Sequence, residues 1–362
     1  MAVTNEDIEK ALGDYIEPNM GSDLVSAGCM KNVNIDDAKI SLELELGFPL
    51  GGYEESLTDD IRNALGTVAG GRELDISLSS KITAHSVQTG AKRLPTIKNT
   101  IAIASGKGGV GKSTTTTNLA LALRDAGAQV GVLDADIYGP SQPRMLGAQG
   151  KPDSLDGKSM EPKVTFGIQS ISIGNLIDED TPMIWRGPMA TGALEQMIND
   201  TNWKDLDYLL IDLPPGTGDI QLTLSQKIPL SGAIIVTTPQ DIALLDARKG
   251  LKMFEKVDVP VLGIVENMSV HICSKCGHEE HIFGAGGGES MAEQYGVDLL
   301  GALPLSIDIR EGVDAGKPTV AFAPESRSSQ IYRQIARRIA GKLALRSKDY
   351  SAKFPNIVVQ QT

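Results

Sequence analysis

Hydrophobic positions along the chain follow two different rhythms, and the change between them falls near residue 88. In NEDIEKALGDYI, Ile8, Leu12 and Ile16 recur at helical spacing. KISLELEL then alternates strictly, with Ile40, Leu42, Leu44 and Leu46 on one face and Ser41, Glu43 and Glu45 on the other, which predicts a half-buried strand. SLTDDIRNALGTV returns to helical spacing through Leu57, Ile61, Ala64 and Leu65, and ELDISLSS alternates again. Residues 1–88 therefore predict a small α+β unit built as helix, strands, helix, strand. TGAKRLPTIKN (89–99) combines Gly, Pro and basic residues and predicts a linker.

From Thr100 the apolar runs become continuous: TIAIAS, QVGVLD, DYLLIDLP, GAIIVTT and VPVLGIV, with helical segments between them. Strands buried on both faces and alternating with helices predict an α/β domain over 100–346, its mostly parallel sheet flanked by helices. The last helix, SSQIYRQIARRIAGKLALRSK, places Ile331, Ile335, Ile339 and Leu343 on one face and Arg333, Arg337, Arg338, Lys342 and Arg346 on the other. That pattern predicts packing on the sheet with a solvated charged face; binding to a membrane surface is the rival use. The tail, 347–362, carries no pattern.

Composition narrows the class. Of 362 residues, 41% are hydrophobic and 22% charged, which suits a folded core. No apolar run approaches the ~18 residues of a membrane helix. The acidic, periodic start MAVTNEDIEKALGDY fits a helix and not a secretory leader. A net charge of −12 argues against a nucleic-acid surface. Residues 1–88 alone hold 16 Asp+Glu and 6 Lys+Arg, a charge of −10, so the charge step coincides with the change of rhythm. Three cysteines, two of them in a C-x-x-C, make no disulfide framework and suit a reducing cytoplasm.

The strongest chemical signal is IAIASGKGGVGKSTTTTNLALAL. A strand ends at Ser105 and a helix follows Gly106-Lys107-Gly108-Gly109-Val110-Gly111-Lys112-Ser113, the sequence and context of a phosphate-binding loop. Its glycines turn backbone N–H groups toward phosphate, and the following helix adds its dipole. Lys112 is expected on the β- and γ-phosphates of ATP and Ser113 on Mg²⁺, with Thr114 beside them. Lys107 is a second loop lysine, free to serve the same nucleotide, to reach a partner's site, or simply to be solvated. Asp134 and Asp136 follow the strand in GVLDADIYGPS, and Asp212 ends the run in YLLIDLPPGTGD. Asp212 has the form of a Mg²⁺-holding Walker-B acid, and Asp136 is a candidate for orienting the attacking water.

HICSKCGHEEHIFGAGGG (271–288) gathers Cys273, Cys276, His271, His278 and His281. Two thiolates and two imidazoles could complete a zinc site, although the histidines follow more tightly than in a zinc finger. A thioredoxin-like pair would open a helix, and this one lies in a polar loop. A [4Fe–4S] cluster wants four thiolates, which two chains related by a two-fold axis would supply. Spacing alone serves zinc and a cluster equally.

Taken together, GKGGVGKST with Lys107, DADIYGPS, DLPPGTGD and the run from TTPQDIALLDARKGLKMF through VPVLGIVENMS to CSKCG resemble the Mrp/ApbC family. These are deviant-Walker P-loop ATPases, related to the MinD/ParA proteins and the nitrogenase iron protein, that carry iron–sulfur clusters. The match runs from about Thr100 to about Ala344, and residues 1–88 resemble the small metal–sulfur-cluster-assembly domain that often precedes this ATPase. The resemblance implies a homodimer with Lys107 contacting nucleotide across it. It implies switch I acids at Asp134 and Asp136, switch II beginning at Asp212, adenine contact by Asn267, and cluster ligation by Cys273 and Cys276. It implies slow ATP hydrolysis and cluster delivery to apo iron–sulfur proteins. The acidic charge and the packed reading of the last helix leave neither nucleic acid nor membrane as an expected partner. Two rivals remain: a MinD/ParA-like positioning ATPase, which would not need the cysteines, and a zinc-stapled metallochaperone. The small unit departs from its relatives, which carry cysteine in a T-x-x-x-C-P setting where this chain has Phe48 before Pro49. Cys29 lies earlier and takes no chemical role; the unit is expected to dock targets or regulate.

Overall fold

The computed structural model describes residues 3–176, 187–273 and 275–348. Most of the tail 347–362 thus lies outside the described residues. In the first part, α1 (Asn5–Asp14) leads to the short pair β1 (Ile16–Glu17) and β2 (Ser22–Asp23). Then come β3 (Met30–Ile35), β4 (Lys39–Leu46), α2 (Glu54–Ala69) and β5 (Glu73–Ser80). A capping box starts α1, Thr4 and Asp7 each accepting the other's backbone N–H. β4 lies between antiparallel β3 and parallel β5, and its Ile40, Leu42, Leu44 and Leu46 are buried with Leu57, Ile61 and Leu65 of α2.

One position departs from the helical spacing. α1 stops at Asp14, Tyr15 turns extended, and Ile16 is 55% exposed. Its neighbour Glu17 enters the core instead. The Glu17 carboxylate accepts from Asn19 N at 3.0 Å, Asn19 Nδ2 at 2.7 Å, Met20 N at 2.6 Å and Tyr53 Oη at 2.7 Å. Periodicity records apolar spacing and cannot register a buried acid with four donors.

The second part runs β6 (Ile97–Ala104), α3 (Lys112–Asp125), β7 (Val130–Asp134), α4 (Gln142–Met145), β8 (Lys163–Thr165), β9 (Ile168–Ser172) and α5 (Gly187–Asn199). It continues through β10 (Leu206–Asp212), α6 (Asp219–Lys227), β11 (Gly232–Thr237), α7 (Asp241–Lys256) and β12 (Val261–Glu266). The hairpin β13 (His271–Ile272) and β14 (Glu279–Glu280) follows, then α8 (Gly287–Tyr295) and β15 (Leu299–Ala302). Three helices close the chain: α9 (Ile307–Asp314), α10 (Thr319–Phe322) and α11 (Arg327–Ala344). No helix among the described residues is long and apolar enough to cross a membrane.

The sheet order is β15-β12-β11-β6-β10-β7-β9-β8, parallel throughout except for β8 against β9. Successive residues of a strand feed different faces, so Ile101 and Ile103 join the core under α3 and α11 while Ala102 and Ala104 join the core under α5, α6 and α7. β6 begins three residues earlier than the apolar run suggests, inside the expected linker. Its opening residues are polar but satisfied: Lys98 pairs with Asp207 at 2.7 Å, and Asn99 bonds Thr83 O at 2.9 Å and His85 N at 3.1 Å.

The small unit packs against the α3/α11 side of the sheet, and their buried residues form one continuous cluster. Gly51 N donates to Ala126 O, just past the end of α3, at 3.0 Å. The basic face of α11, expected to be solvated, is instead largely partnered, by one contact to the small unit through Arg337 and by three within the second part. Arg337 lies over the Tyr53 ring at 5.0 Å, Arg333 pairs with Asp125 at 3.6 Å, Arg338 donates to Leu300 O at 2.9 Å, and Lys342 pairs with Asp298. Glu17 supports this seam through Tyr53. Glu17→Ala strands four donors, and the expected loss is about 3 kcal/mol of unfolding free energy. Urea titration of the full chain reads it, and an unmoved midpoint would contradict the role given to Glu17.

Candidate functional site

The phosphate loop leaves the end of β6 and enters α3. Gly111, at φ +83°, caps that helix in a left-handed conformation, and a Cβ there would run into the Asn267 amide. Asn267 follows β12, and its Nδ2 donates to Val110 O at 2.8 Å. The residue expected at the adenine therefore braces the loop itself. Gly106 passes so close to α7 that a Cβ would meet the backbone of Asp246 and Ala247. Gly108 and Gly109 are exposed, and Val110 is buried beneath them. The loop is thus clamped on two sides, with α3 starting behind it.

Lys112 is buried, and its ammonium gathers the acids that the sequence singled out. Nζ stands 2.5 Å from Asp212 Oδ1, 3.8 Å from Asp136 Oδ2 and 3.3 Å from Ser113 Oγ. Asp212 and Asp134 are register partners at the ends of adjacent strands β10 and β7. The oxygens of Asp134 are held by the loop that follows. Oδ1 accepts from Asp136 N at 3.2 Å; Oδ2 accepts from Ser141 N at 3.0 Å, Gln142 N at 3.1 Å and Ser172 Oγ at 2.9 Å. Burial, then the charge of Asp212, pushes the Asp134 carboxyl up to about 7. Burial also raises Asp136, which Lys112 opposes. Lys107 is half-exposed, and among the described residues its ammonium makes no ion pair.

Two residues at this site escaped the sequence reading. Thr116 Oγ1 lies 3.3 Å from Asp212 Oδ1, and Gln142 Nε2 donates to Asp212 Oδ2 at 2.9 Å. Thr116 sits one helical turn after Lys112, a position that spacing could have flagged. Gln142 opens the four-residue α4, too short for spacing to give a signal.

The cysteines sit on the β13–β14 hairpin. Cys273 N donates to His278 O at 2.9 Å and Gly277 N to Cys273 O at 2.8 Å, closing the turn. The N–H groups of Lys275 and then Cys276, together with the Cys276 side chain, hold the Cys273 thiol below its ordinary range. Cys276 is exposed. Burial instead pushes the Cys29 thiol up to about 11, in keeping with a core residue. The histidines turn elsewhere: His281 Nδ1 bonds Ser269 O at 2.8 Å and His271 Nδ1 bonds Leu305 O at 3.3 Å. Among the described residues no group of three or more His, Cys, Asp or Glu could hold a metal. The hairpin follows the end of β12, beginning four residues beyond the Asn267 that braces the phosphate loop. Beside it, Ile282 is 51% exposed, with Ile242 (68%) and Leu245 (52%) on the α7 segment behind Gly106.

Residues 96–340 match the ParA family model described as NUBPL iron-transfer P-loop NTPase, and residues 5–78 match the iron-sulfur cluster assembly protein model. The chain is 52% identical over 333 residues to the iron-sulfur cluster carrier protein of Escherichia coli K12, covering 92% of this chain and 90% of that one. It is 50% identical over 254 residues to the mouse iron-sulfur cluster transfer protein NUBPL, covering 70% and 80%. Among solved structures it resembles a nucleotide-binding protein in complex with ADP from Archaeoglobus fulgidus, at 37% identity and TM-score 0.56, covering 66% of this chain and 93% of that one. It also resembles the cell division ATPase MinD of Pyrococcus furiosus, at 25% identity and TM-score 0.52, covering 67% and 98%.

Proposed function

Because the chain belongs to the family of NUBPL-type iron-transfer P-loop NTPases, we propose that it binds ATP, carries an iron–sulfur cluster in the cytoplasm and delivers it to apoproteins. The observation that carries this reading is the connection between the two sites. Cys273 and Cys276 stand on a hairpin rooted at the strand end whose Asn267 touches the phosphate loop.

The clamped glycine loop and the start of α3 fit a nucleotide's phosphates. Mg²⁺ fits the hard oxygens of Ser113 and Asp212, which Lys112 already draws together. When bound, it would neutralise charge on the β- and γ-phosphates. Lys112 then moves from Asp212 to phosphate, and Asp136 orients the attacking water. Asp134 would add negative charge to the metal site, its oxygens already accepting from the following loop and from Ser172. Hydrolysis on this arrangement is slow, because the cation completing it, Lys107, acts on the nucleotide of a second copy.

The cluster is cargo. Each chain supplies two thiolates, and two copies supply the four that a [4Fe–4S] cluster needs. Ile242 and Leu245 of α7 and Ile282 just after the hairpin are exposed, and a homodimer would cover them. Nucleotide pressing on Val110 shifts Asn267 and with it the hairpin spacing. Transfer is ligand exchange: recipient thiolates replace Cys273 and Cys276, and no electron moves. Incubating anaerobically loaded protein with an apo [4Fe–4S] protein should move iron and sulfide to the recipient, at a rate changed by MgATP. The same transfer in the presence of an iron chelator separates hand-over from release, and its abolition by chelator would contradict direct delivery.

A further inference from the structure

Gln142 opens α4 in the stretch DADIYGPSQPRML, and its side chain is 1% exposed. Every polar atom of it has a partner. Oε1 accepts from Thr117 Oγ1 at 2.7 Å, and Nε2 donates to Asp212 Oδ2 at 2.9 Å and to Ser113 O at 3.0 Å. Flipping the amide would point its oxygen at a carboxylate and a carbonyl, so the network fixes its orientation. Its backbone N–H donates to Asp134 Oδ2 at 3.1 Å. One residue thus joins the end of β7, the first turns of α3 and the end of β10.

The two oxygens of Asp212 are divided. Oδ1 faces Lys112 and Thr116, while Oδ2 faces Gln142. Lys112 must leave for a bound phosphate, but nothing in phosphate binding requires Gln142 to leave. Its amide can keep the Asp212 carboxylate aimed throughout. It also ties that aim to the Asp134–Leu146 loop, whose N–H groups converge on Asp134.

We propose that Gln142 is a positioning residue for the Mg²⁺–nucleotide site, transmitting the placement of the Asp134–Leu146 loop to Asp212 and Ser113. It touches neither nucleotide nor metal. The inference rests on the reading of Asp212 and Ser113 as the Mg²⁺ residues. It predicts a defect in metal dependence and not in nucleotide capture, because Lys112 and the loop N–H groups are left in place.

Gln142→Met fills the same space without the amide, and Gln142→Ala removes both. ADP affinity in EDTA and in Mg²⁺, and ATP hydrolysis against Mg²⁺ concentration, are measured on the full chain. Both variants should keep the affinity in EDTA and need about tenfold more Mg²⁺ for half-maximal hydrolysis. Thr117→Val, which frees the amide to rotate, should shift the Mg²⁺ requirement in the same direction by less, and it serves where the Gln142 variants do not fold. A methionine variant with the wild-type Mg²⁺ requirement would reduce Gln142 to space filling and overturn the proposal. So would equal losses with and without Mg²⁺. Failure of the unmodified chain to bind ADP more tightly with Mg²⁺ would instead sink the metal reading beneath it.

Discussion

Lys112→Ala should lower ATP hydrolysis at least about a hundredfold, the cost of removing one preorganised cation from developing phosphate charge. The structure adds a second consequence. Lys112 is the cation among Asp134, Asp136 and Asp212, with Asp212 Oδ1 at 2.5 Å and Asp136 Oδ2 at 3.8 Å. Without it, three carboxylates face one another at the strand ends. Asp134 is already pushed from an ordinary 3.8 up to about 7, so the folded chain holds a proton there that the unfolded chain releases. Its stabilising effect is fully present below 3.8 and is lost as pH rises through about 7. Removing Lys112 raises Asp134 and Asp136 further, since its charge opposes both shifts, and carries that loss to higher pH. Hydrolysis rates and urea midpoints at pH 5.5 and 8 read both effects. The variant should lose more stability relative to the parent at pH 8. An equal loss at both values would mean that the acids do not share the lysine's charge.

Replacing both Cys273 and Cys276 by alanine should abolish cluster binding and leave nucleotide binding intact. His271 and His281 bond the carbonyls of Leu305 and Ser269, and the described residues offer no other group of metal donors. The hairpin should survive the change, since Cys273 contributes its backbone N–H and C=O to the turn. Visible absorption after anaerobic reconstitution reads the first expectation, and ADP titration the second. Residual cluster absorption in the double variant would place the ligands elsewhere.

Much of this arrangement was legible in the chain. Continuous apolar runs mark strands that two helical layers cover, and acids at their ends fall where such sheets bind ligands. The phosphate loop and the cysteine pair are local motifs, so spacing finds them. What spacing missed was polar and non-local. Glu17 is buried because four donors converge on it from positions set by Tyr53 and a turn, and no apolar count includes it. The start of β6 was hidden by Lys98 and Asn99, whose partners lie more than a dozen residues away. The basic face of α11 looks solvated until the small unit and α3 supply Tyr53 and Asp125. Gln142 opens the four-residue α4, too short to show periodicity, and only the fold brings it to Asp212.

The central claim is that one chain carries half of a cluster site. Native mass spectrometry of anaerobically reconstituted protein, combined with iron, sulfide and zinc analysis, tests it most directly. The account predicts a dimer holding one four-iron cluster, two irons per chain, that falls to cluster-free chains when Cys273 and Cys276 are replaced. A single chain holding stoichiometric zinc, or a complete cluster on one chain, would contradict it.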